Sequence, residues 1–390
     1  MLVPKLRFKE FNNNWNNEKI SNAFALSSGS TPNTKQRFFY TGNINWVSSG
    51  ELKRKYIVDT INKVSNIAIE KNNLKIYDIG TLLIAIYGLE ASGVRGTCSI
   101  LNIKATISQA CMALESKNNI SNEFMYYWYQ KNGQWIGLRI AQGTKQQNLT
   151  AELIGNLEVE YPSIDEQEKI VNFLSLLDKK IELQKQKIEA LKIYKRGLIN
   201  KIFNIQYNNT LRLKDLIKEK SIRNKENIVK EVYSVNNKCG FILQAEQFKD
   251  REVASEDTSN YKIVQYNDFA YNPARINVGS IARMKKYNKG IISPMYICFS
   301  CREKLLPEYL EYYYNSEVFR HEMTKRLEGS VRMCLSYESM TNIPVDLPKV
   351  EEQKRITKVL VEIDNKIEKE EIIFSAIKKL KKGLLQKMFI

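Results

Sequence analysis

One stretch of this chain occurs twice, and that repeat limits the possible architectures more than any other feature. Residues 162–204, PSIDEQEKIVNFLSLLDKKIELQKQKIEALKIYKRGLINKIFN, superpose without a gap on residues 348–390, PKVEEQKRITKVLVEIDNKIEKEEIIFSAIKKLKKGLLQKMFI, after a shift of 186 positions. Identical pairs include Glu166/Glu352, Gln167/Gln353, Asp178/Asp364, Lys195/Lys381 and Gly197/Gly383. A long internal repeat sets the architecture before any single element is assigned. The chain reads as two copies of one unit.

Both copies predict a long helix. In the first, Ile170, Leu174, Leu177, Ile181, Ile188, Leu191, Leu198 and Ile202 recur in alternating steps of four and three, with Gln184 and Lys195 filling the gaps. That spacing is a coiled-coil seam. The second copy keeps it with Ile356, Leu360, Ile363, Ile367, Phe374, Ile377, Leu384 and Met388, and its polar breaks, Glu370 and Lys381, fall at the same places. Ser163-Ile-Asp-Glu166 reads as a capping box behind Pro162. A helix of about 38 residues is about 57 Å long and cannot bury its seam alone. Its simplest partner is the other copy, paired antiparallel. Glycine inside a helix costs up to about 1 kcal/mol against alanine, so its presence in both copies, as Gly197 and Gly383, predicts a close approach by the other helix or by another subunit.

At 390 residues the chain exceeds the size of one ordinary core, so at least two domains are expected. The net charge of +17 is spread over the whole length, which suits a polyanionic partner such as nucleic acid. Six cysteines and a single histidine, His321, supply no zinc spacing: Cys298 and Cys301 have two residues between them and no second pair. Buried, reduced thiols are expected. The N-terminus lacks a signal core, and the longest apolar run, residues 79–89, is too short to span a bilayer. No membrane association and a cytoplasmic location are therefore expected.

Residues 1–160 read as mixed α/β, with β-rich runs at 46–47, 56–58, 81–86 and 99–107, and an aromatic helix near 121–131. Residues 205–347 repeat this frame weakly. Lys19-Ile20 matches Lys214-Asp215, Ile107-Ser108 matches Ile292-Ser293, and FMYYWYQ matches YLEYYYN at 309–315. Gly143-Thr144 matches Gly329-Ser330, each before a leucine, Leu149 or Leu335. The loops differ completely, GLEASGVRG (88–96) against YNPARINVGSIAR (271–283). A shared frame with divergent loops suits two readers of different ligands.

Given twice, this order resembles the specificity subunit of type I restriction–modification systems. The motifs that carry the likeness are SGSTP at 28–32, WVSSGEL at 46–52, Gly-(Ser/Thr) followed by leucine, the P-x3-EQ helix start and the terminal K-x-G-L. The likeness covers essentially the whole chain, although the second half lacks a clear SGxTP or WVSSGEL. It implies an α+β fold of two tandem mixed α/β target-recognition domains, 1–160 and 205–347. Each is followed by a long conserved spacer helix, 161–204 or 348–390, and the helices pair as an antiparallel coiled coil with pseudo-twofold symmetry. It further implies that each domain reads one half of a split site in double-stranded DNA. The helices would set the spacing and dock two modification (methyltransferase) subunits. ATP-driven restriction subunits would join through the complex, leaving this chain without cofactor, metal or catalysis of its own. The residues expected at subunit interfaces are Ile170, Leu174, Leu177, Ile181, Leu191, Gly197 and Leu198, with Ile356, Leu360, Ile363, Ile367, Ile377, Gly383 and Leu384 in the second copy.

Direct inspection offers no catalytic constellation. Asn272-Pro-Ala-Arg275 lacks the second proline and the aromatic of an adenine-methyltransferase NPP(Y/F) motif. No phosphate loop is present, and His321 has no nucleophile at useful spacing. Reading bases in the major groove needs Arg, Lys, Asn or Gln on exposed loops. In the first domain the expected contacts are Asn33, Lys35, Arg37, Arg95, Lys145, Gln146, Gln147 and Asn148. In the second they are Arg223, Asn224, Lys225, Asn272, Arg275, Asn277, Arg283 and Arg332. The rival reading is a coiled-coil scaffold whose two heads bind protein without recognising a DNA sequence.

Overall fold

The two long helices run Ile164–Phe203 and Val350–Met388, within two residues of the boundaries expected from the repeat. A computed structural model describes residues 3–91, 93–117, 119–143, 147–237, 239–247, 257–329 and 333–390. Lys145, Gln146 and Arg332 lie outside the described residues. The chain divides into two units, Met1–Lys185 with Ile372–Ile390, and Gln186–Glu371. Each long helix is therefore shared out, its two halves belonging to different units, where the sequence had set it apart as a spacer segment.

In the first unit, Asn16–Lys19 pairs antiparallel with Glu158–Tyr161 just before the first long helix. A five-stranded sheet follows the order Phe24–Ser28, Cys111–Ser116, Leu82–Ala85, Cys98–Leu101, Tyr56–Ile57. Its inner strands Leu82–Ala85 and Cys98–Leu101 are buried at every residue, so they read in sequence as near-continuous apolar runs rather than alternating ones, with Ser99 satisfied by donating to Arg54 O at 2.6 Å. A three-stranded sheet orders Asn62–Val64, Ile44–Val47 and Ala105–Ile107, with the last two parallel. The aromatic helix is longer than expected, Asn122–Arg139, and Tyr126, Tyr127 and Trp128 are buried. The strand Cys111–Ser116 was not foreseen.

The second unit repeats this frame. Thr210–Arg212 pairs with Pro344–Asp346. One sheet runs Ile217–Glu219, Ile297–Cys301, Phe269–Tyr271, Ile281–Arg283, and the other Gly240–Leu243, Val232–Asn236, Lys289–Ile292, Lys262–Gln265, again with one parallel pair. Ile107 and Ile292 end corresponding strands, as their sequence match implied. The match of Lys19-Ile20 to Lys214-Asp215 is out by two residues. Ile20 N donates to Leu157 O at 2.9 Å and Leu213 N to Ile343 O at 3.0 Å, so Arg212-Leu213 is the true counterpart.

The identities in the long helices now have physical causes. Gln167 is fully buried; its Oε1 accepts from Ser121 N (2.9 Å) and its Nε2 donates to Asn119 O (2.7 Å) and Pro162 O (3.0 Å). Gln353 does the same with Leu306 N, Lys304 O and Pro348 O, each at 2.9 Å. Each glutamine ties the start of its helix to the segment leading into the shorter helix beside it. Asp178 accepts from Tyr127 Oη (2.7 Å) and Lys381 Nζ (2.5 Å), and Asp364 from Tyr312 Oη (2.8 Å) and Lys195 Nζ (2.5 Å). The polar breaks Lys195 and Lys381 are thus paired within their own units. In the second unit Lys187 meets Glu370 and Lys192 meets Glu371, at 2.6 and 2.7 Å. Taken with Lys195–Asp364, partner numbers fall on one helix as they rise on the other, the signature of antiparallel pairing.

Several seam residues are used differently from expectation. Ile170 and Leu174 lie in the core of the first unit with Leu385, Met388 and Phe389, while Ile356 and Leu360 lie in that of the second with Ile199 and Phe203. Their apolar surface is spent inside the chain and is closed to another subunit. Ile367 and Ile377 are also buried, Leu177, Leu198 and Leu384 pack against these cores, and Ile181, Leu191 and Ile363 are half-buried. A Cβ added at Gly197 or Gly383 would meet nothing within 4 Å, so among the described residues no helix approaches either glycine closely. The capping box at Ser163 is displaced as well. The Glu166 carboxylate takes Arg7 Nε and Nη2, at 2.8 and 2.7 Å, instead of turning back on its own helix, and this contact raises the Arg7 guanidinium above its ordinary value.

Candidate nucleic-acid interface

The SGSTP motif builds the first exposed loop. A Cβ on Gly29 would sit 2.0 Å from Ile107 O, so only glycine lets this strand end pass its neighbour. Trp46 Nε1 donates to Ser30 O (3.2 Å) and Tyr40 Oη to Pro32 O (2.8 Å), fixing the loop from beneath. On its outer side Asn33 Oδ1 accepts from Lys35 N at 3.0 Å, an Asx turn, and Lys35 and Arg37 stand exposed. WVSSGEL is likewise a loop brace. Glu51 accepts from Ser48 N and Oγ and from Ile61 N, at 2.9, 2.8 and 2.8 Å.

Arg95 and Gln147, 52 residues apart, come together: Arg95 Nη2 donates to Gln147 Oε1 at 2.7 Å. Leu89 N donates to Gln147 O (3.2 Å) and Gln147 N to Glu90 Oε2 (2.9 Å), which links the 88–96 loop to the loop carrying Gln147 and Asn148. The Arg95 stem crosses Gly137, where any Cβ would lie 2.5 Å from Arg95 Cγ. Among the described residues the Arg95 Nε and Asn148 Oδ1 atoms are buried without a partner, polar capacity left for a ligand or water.

In the second unit three expected readers are structural. Asn224 is buried, with both ends of its amide closing a loop on Val229 N and O, at 3.1 and 2.9 Å. Asn272 is buried and accepts from Ala274 N at 3.0 Å. The Arg283 guanidinium binds Glu311 at 2.8 Å, Asn267 at 2.9 Å, and Glu308; two carboxylates offset the cost of its burial. Arg223, Lys225, Arg275 and Asn277 remain exposed, with Arg223 donating to Asn260 Oδ1 at 3.0 Å.

Asn277 borders a cleft of about 580 Å³ whose floor holds Phe241, Ile276 and Phe319 and whose rim adds Asn236, Asn237, Lys286, Asn315 and Arg320. Asn237 Nδ2 donates to Val278 O at 3.3 Å, joining the hairpin tip to the 275–280 loop. Sequence reasoning passed over these rim residues. The Asn-Asn at the end of strand Val232–Asn236 and the Lys-Lys after Met284 were the available signals. Amides above an apolar floor, with cations at the edge, can pair with base edges while holding phosphates. Among the described residues no group of three or more Asp, Glu, His or Cys side chains could hold a metal, and no helix is long and apolar enough to cross a membrane.

Residues 12–192 and 201–378 each match the family described as Type I restriction modification DNA specificity domain. The chain is 27% identical over 284 residues to the type I restriction enzyme MjaIX specificity subunit of Methanocaldococcus jannaschii, covering 65% of this chain and 64% of that relative, just under two thirds of its length. It is 24% identical over 323 residues to the MjaVIII specificity subunit of the same organism, 73% of each chain. The solved S subunit of a type I restriction–modification system from M. genitalium superposes with a TM-score of 0.57 at 17% identity, covering 100% of this chain and 99% of that one. That likeness is one of fold.

Proposed function

The chain belongs to the type I restriction–modification DNA specificity family, and from that premise we propose that it reads a split DNA site and directs modification and restriction subunits to it without catalysing a reaction itself. The observation that carries this reading is the double family match, 12–192 and 201–378, laid over two units that share a four-strand run in their main sheet and carry unrelated loops. We assign the two target-recognition domains to residues 1–160 and 205–347. In the first, Asn33, Lys35, Arg37, Arg95 and Gln147 face the DNA. In the second, Arg223, Lys225, Arg275, Asn277 and the rim of the Asn236–Arg320 cleft do so. Modification subunits dock on exposed helix surface in each unit, around Gly383 in the first, where Leu380 stands in water, and around Gly197 in the second, where Ile193 and Tyr194 do. Large apolar side chains left in water on a helix mark such contacts. The modified base is adenine, as in the type I systems this chain resembles.

The test is to map methylated adenines in DNA from cells that make this chain with its modification subunit. A split motif is expected, and exchanging residues 1–160 for those of a relative should change one half of it alone. A continuous motif, or none, would refute the reading. Affinity for duplex DNA should also fall steeply with salt and show a sequence preference, whereas a protein-binding scaffold would give neither.

A further inference from the structure

The first unit contains a second cleft that the reading of bases does not use. It has a volume of about 770 Å³ and lies where the 53–56 segment meets both long helices. Five exposed cations converge on it, Lys53, Arg54, Lys179, Lys378 and Lys382, and among the described residues none of them has an ion-pair partner. Two carboxylates, Asp178 and Glu182, stand among the seven cations of its lining, and these and the neighbouring Glu123 already have partners. Asp178 holds Lys381 and Tyr127, and Glu123 accepts from Tyr56 Oη at 2.6 Å and lies 3.9 Å from Lys55. Lys55 itself is anchored deeper, donating to Ser175 Oγ at 2.8 Å.

The repeat supplies an internal control. In the second unit the Asp364–Lys195–Tyr312 arrangement is preserved, but Asn365 replaces Lys179, and Lys192, the counterpart of Lys378, is neutralised by Glu371 at 2.7 Å. The corresponding cleft there is balanced, with Glu311, Asp364 and Glu368 facing Lys195, Arg283 and Lys285, whereas the first cleft sets seven cations against Asp178 and Glu182. Holding the helix pair together therefore does not require the excess cations. Like charges gathered in excess of their counter-charges raise the energy of the folded chain, and an anion seated among them lowers that cost. The aromatic and apolar wall formed by Tyr56, Tyr126 and Leu385 favours a ligand that adds a sugar or base face to its phosphates over an acidic peptide.

We propose that this cleft is a phosphate-binding site of the first unit, taking the phosphates of a nucleic-acid backbone or of a free oligophosphate. The backbone source rests on the DNA-binding reading above; the free source does not. The test compares the full chain with its Lys53→Ala/Arg54→Ala/Lys382→Ala variant, all three changes being at exposed side chains so that thermal unfolding should be unaltered. Sodium tripolyphosphate binding is followed by calorimetry, and duplex DNA binding by anisotropy over a range of salt. The expected result is a tenfold or greater loss of tripolyphosphate affinity, with a drop of about 2–3 in the slope of log affinity against log salt for DNA. Loss of tripolyphosphate binding with unchanged DNA affinity and slope would assign the site to a free oligophosphate. Loss of tripolyphosphate binding in a chain that binds no duplex at all would keep the site and overturn the DNA reading. If neither ligand distinguishes the variant from the parent, or the parent binds no tripolyphosphate and the DNA slope is unchanged, the proposal fails.

Discussion

Replacing Gln353 by leucine removes a side chain that is fully buried and makes three hydrogen bonds, to Leu306 N, Lys304 O and Pro348 O. Leucine has similar bulk, so the main loss is polar: one backbone N–H and two carbonyls lose their partner, the Pro348 carbonyl in a buried contact and the other two in partly buried ones. A stranded buried group costs about 1–3 kcal/mol, so the lower bound for three is about 3 kcal/mol. For a unit the size of residues 186–371, each kcal/mol moves the midpoint by about 2–4 °C, which predicts a fall of about 6–12 °C by that lower bound. Gln167→Leu should act equally on the first unit through Ser121 N, Asn119 O and Pro162 O. Gln353→Glu gives a finer test. The carboxylate still accepts from Leu306 N but sets its second oxygen against two carbonyls, so its destabilisation should lessen at acid pH, where the protonated acid donates to one of them. Differential scanning calorimetry of the full chain measures all three. Shifts below about 2 °C for both leucine variants, on the same scale, would refute the conclusion that the repeated glutamines fasten the long helices to their units.

Three further outcomes are expected. Gly197→Ala and Gly383→Ala should each stabilise the isolated chain by about 0.5–1 kcal/mol in denaturant unfolding, because the added methyl meets open space in a helix interior; destabilisation would reveal a contact the geometry lacks. Gly29→Ala, which drives a methyl into Ile107 O, should cost about 2 kcal/mol or more, as an overpacked core site does, and a neutral result in the same assay would be decisive against it. Burial raises the phenol pKa of Tyr126, Tyr127, Tyr129, Tyr271, Tyr309 and Tyr312. A pKa raised in the folded state gives stability that is complete below the unfolded value, about 10, and lost as pH rises past it. In an alkaline absorbance titration these phenols should therefore ionise only together with unfolding. Early, reversible ionisation of most of them would contradict their burial.

The repeat, the helix spans and some of the strands were legible in the sequence because periodicity and apolar runs are local signals; the pairing of the strands was not. The fate of individual polar side chains was not, since it depends on partners far along the chain. Arg283 has the composition and position of a base reader, yet Glu308 and Glu311 on a later helix claim it. Glu166 fits a capping box, yet Arg7 arrives from 159 residues away. Asn224 and Asn272 turn inward for reasons of loop geometry that spacing does not encode. The basic cleft escaped notice because its lysines come from three separate segments, and no window of sequence shows them together.

The division of each long helix between two units bears on the order in which the chain can fold as it is made. The second unit is a single continuous stretch, Gln186–Glu371, and has all its parts once that stretch has left the ribosome. The first is interrupted. Its core needs Leu385, Met388 and Phe389 beside Ile170 and Leu174, Phe124 packs its ring on Phe389 at 5.1 Å, and Lys131 Nζ donates to Phe389 O at 3.1 Å. During synthesis the part made first must therefore wait, with an open apolar seat, for the part made last. The later-born unit can close before the earlier one, so the nascent first unit is the stretch most in need of protection from aggregation. A chain cut after Glu371 would lose the integrity of its first unit while its second retained every residue it requires.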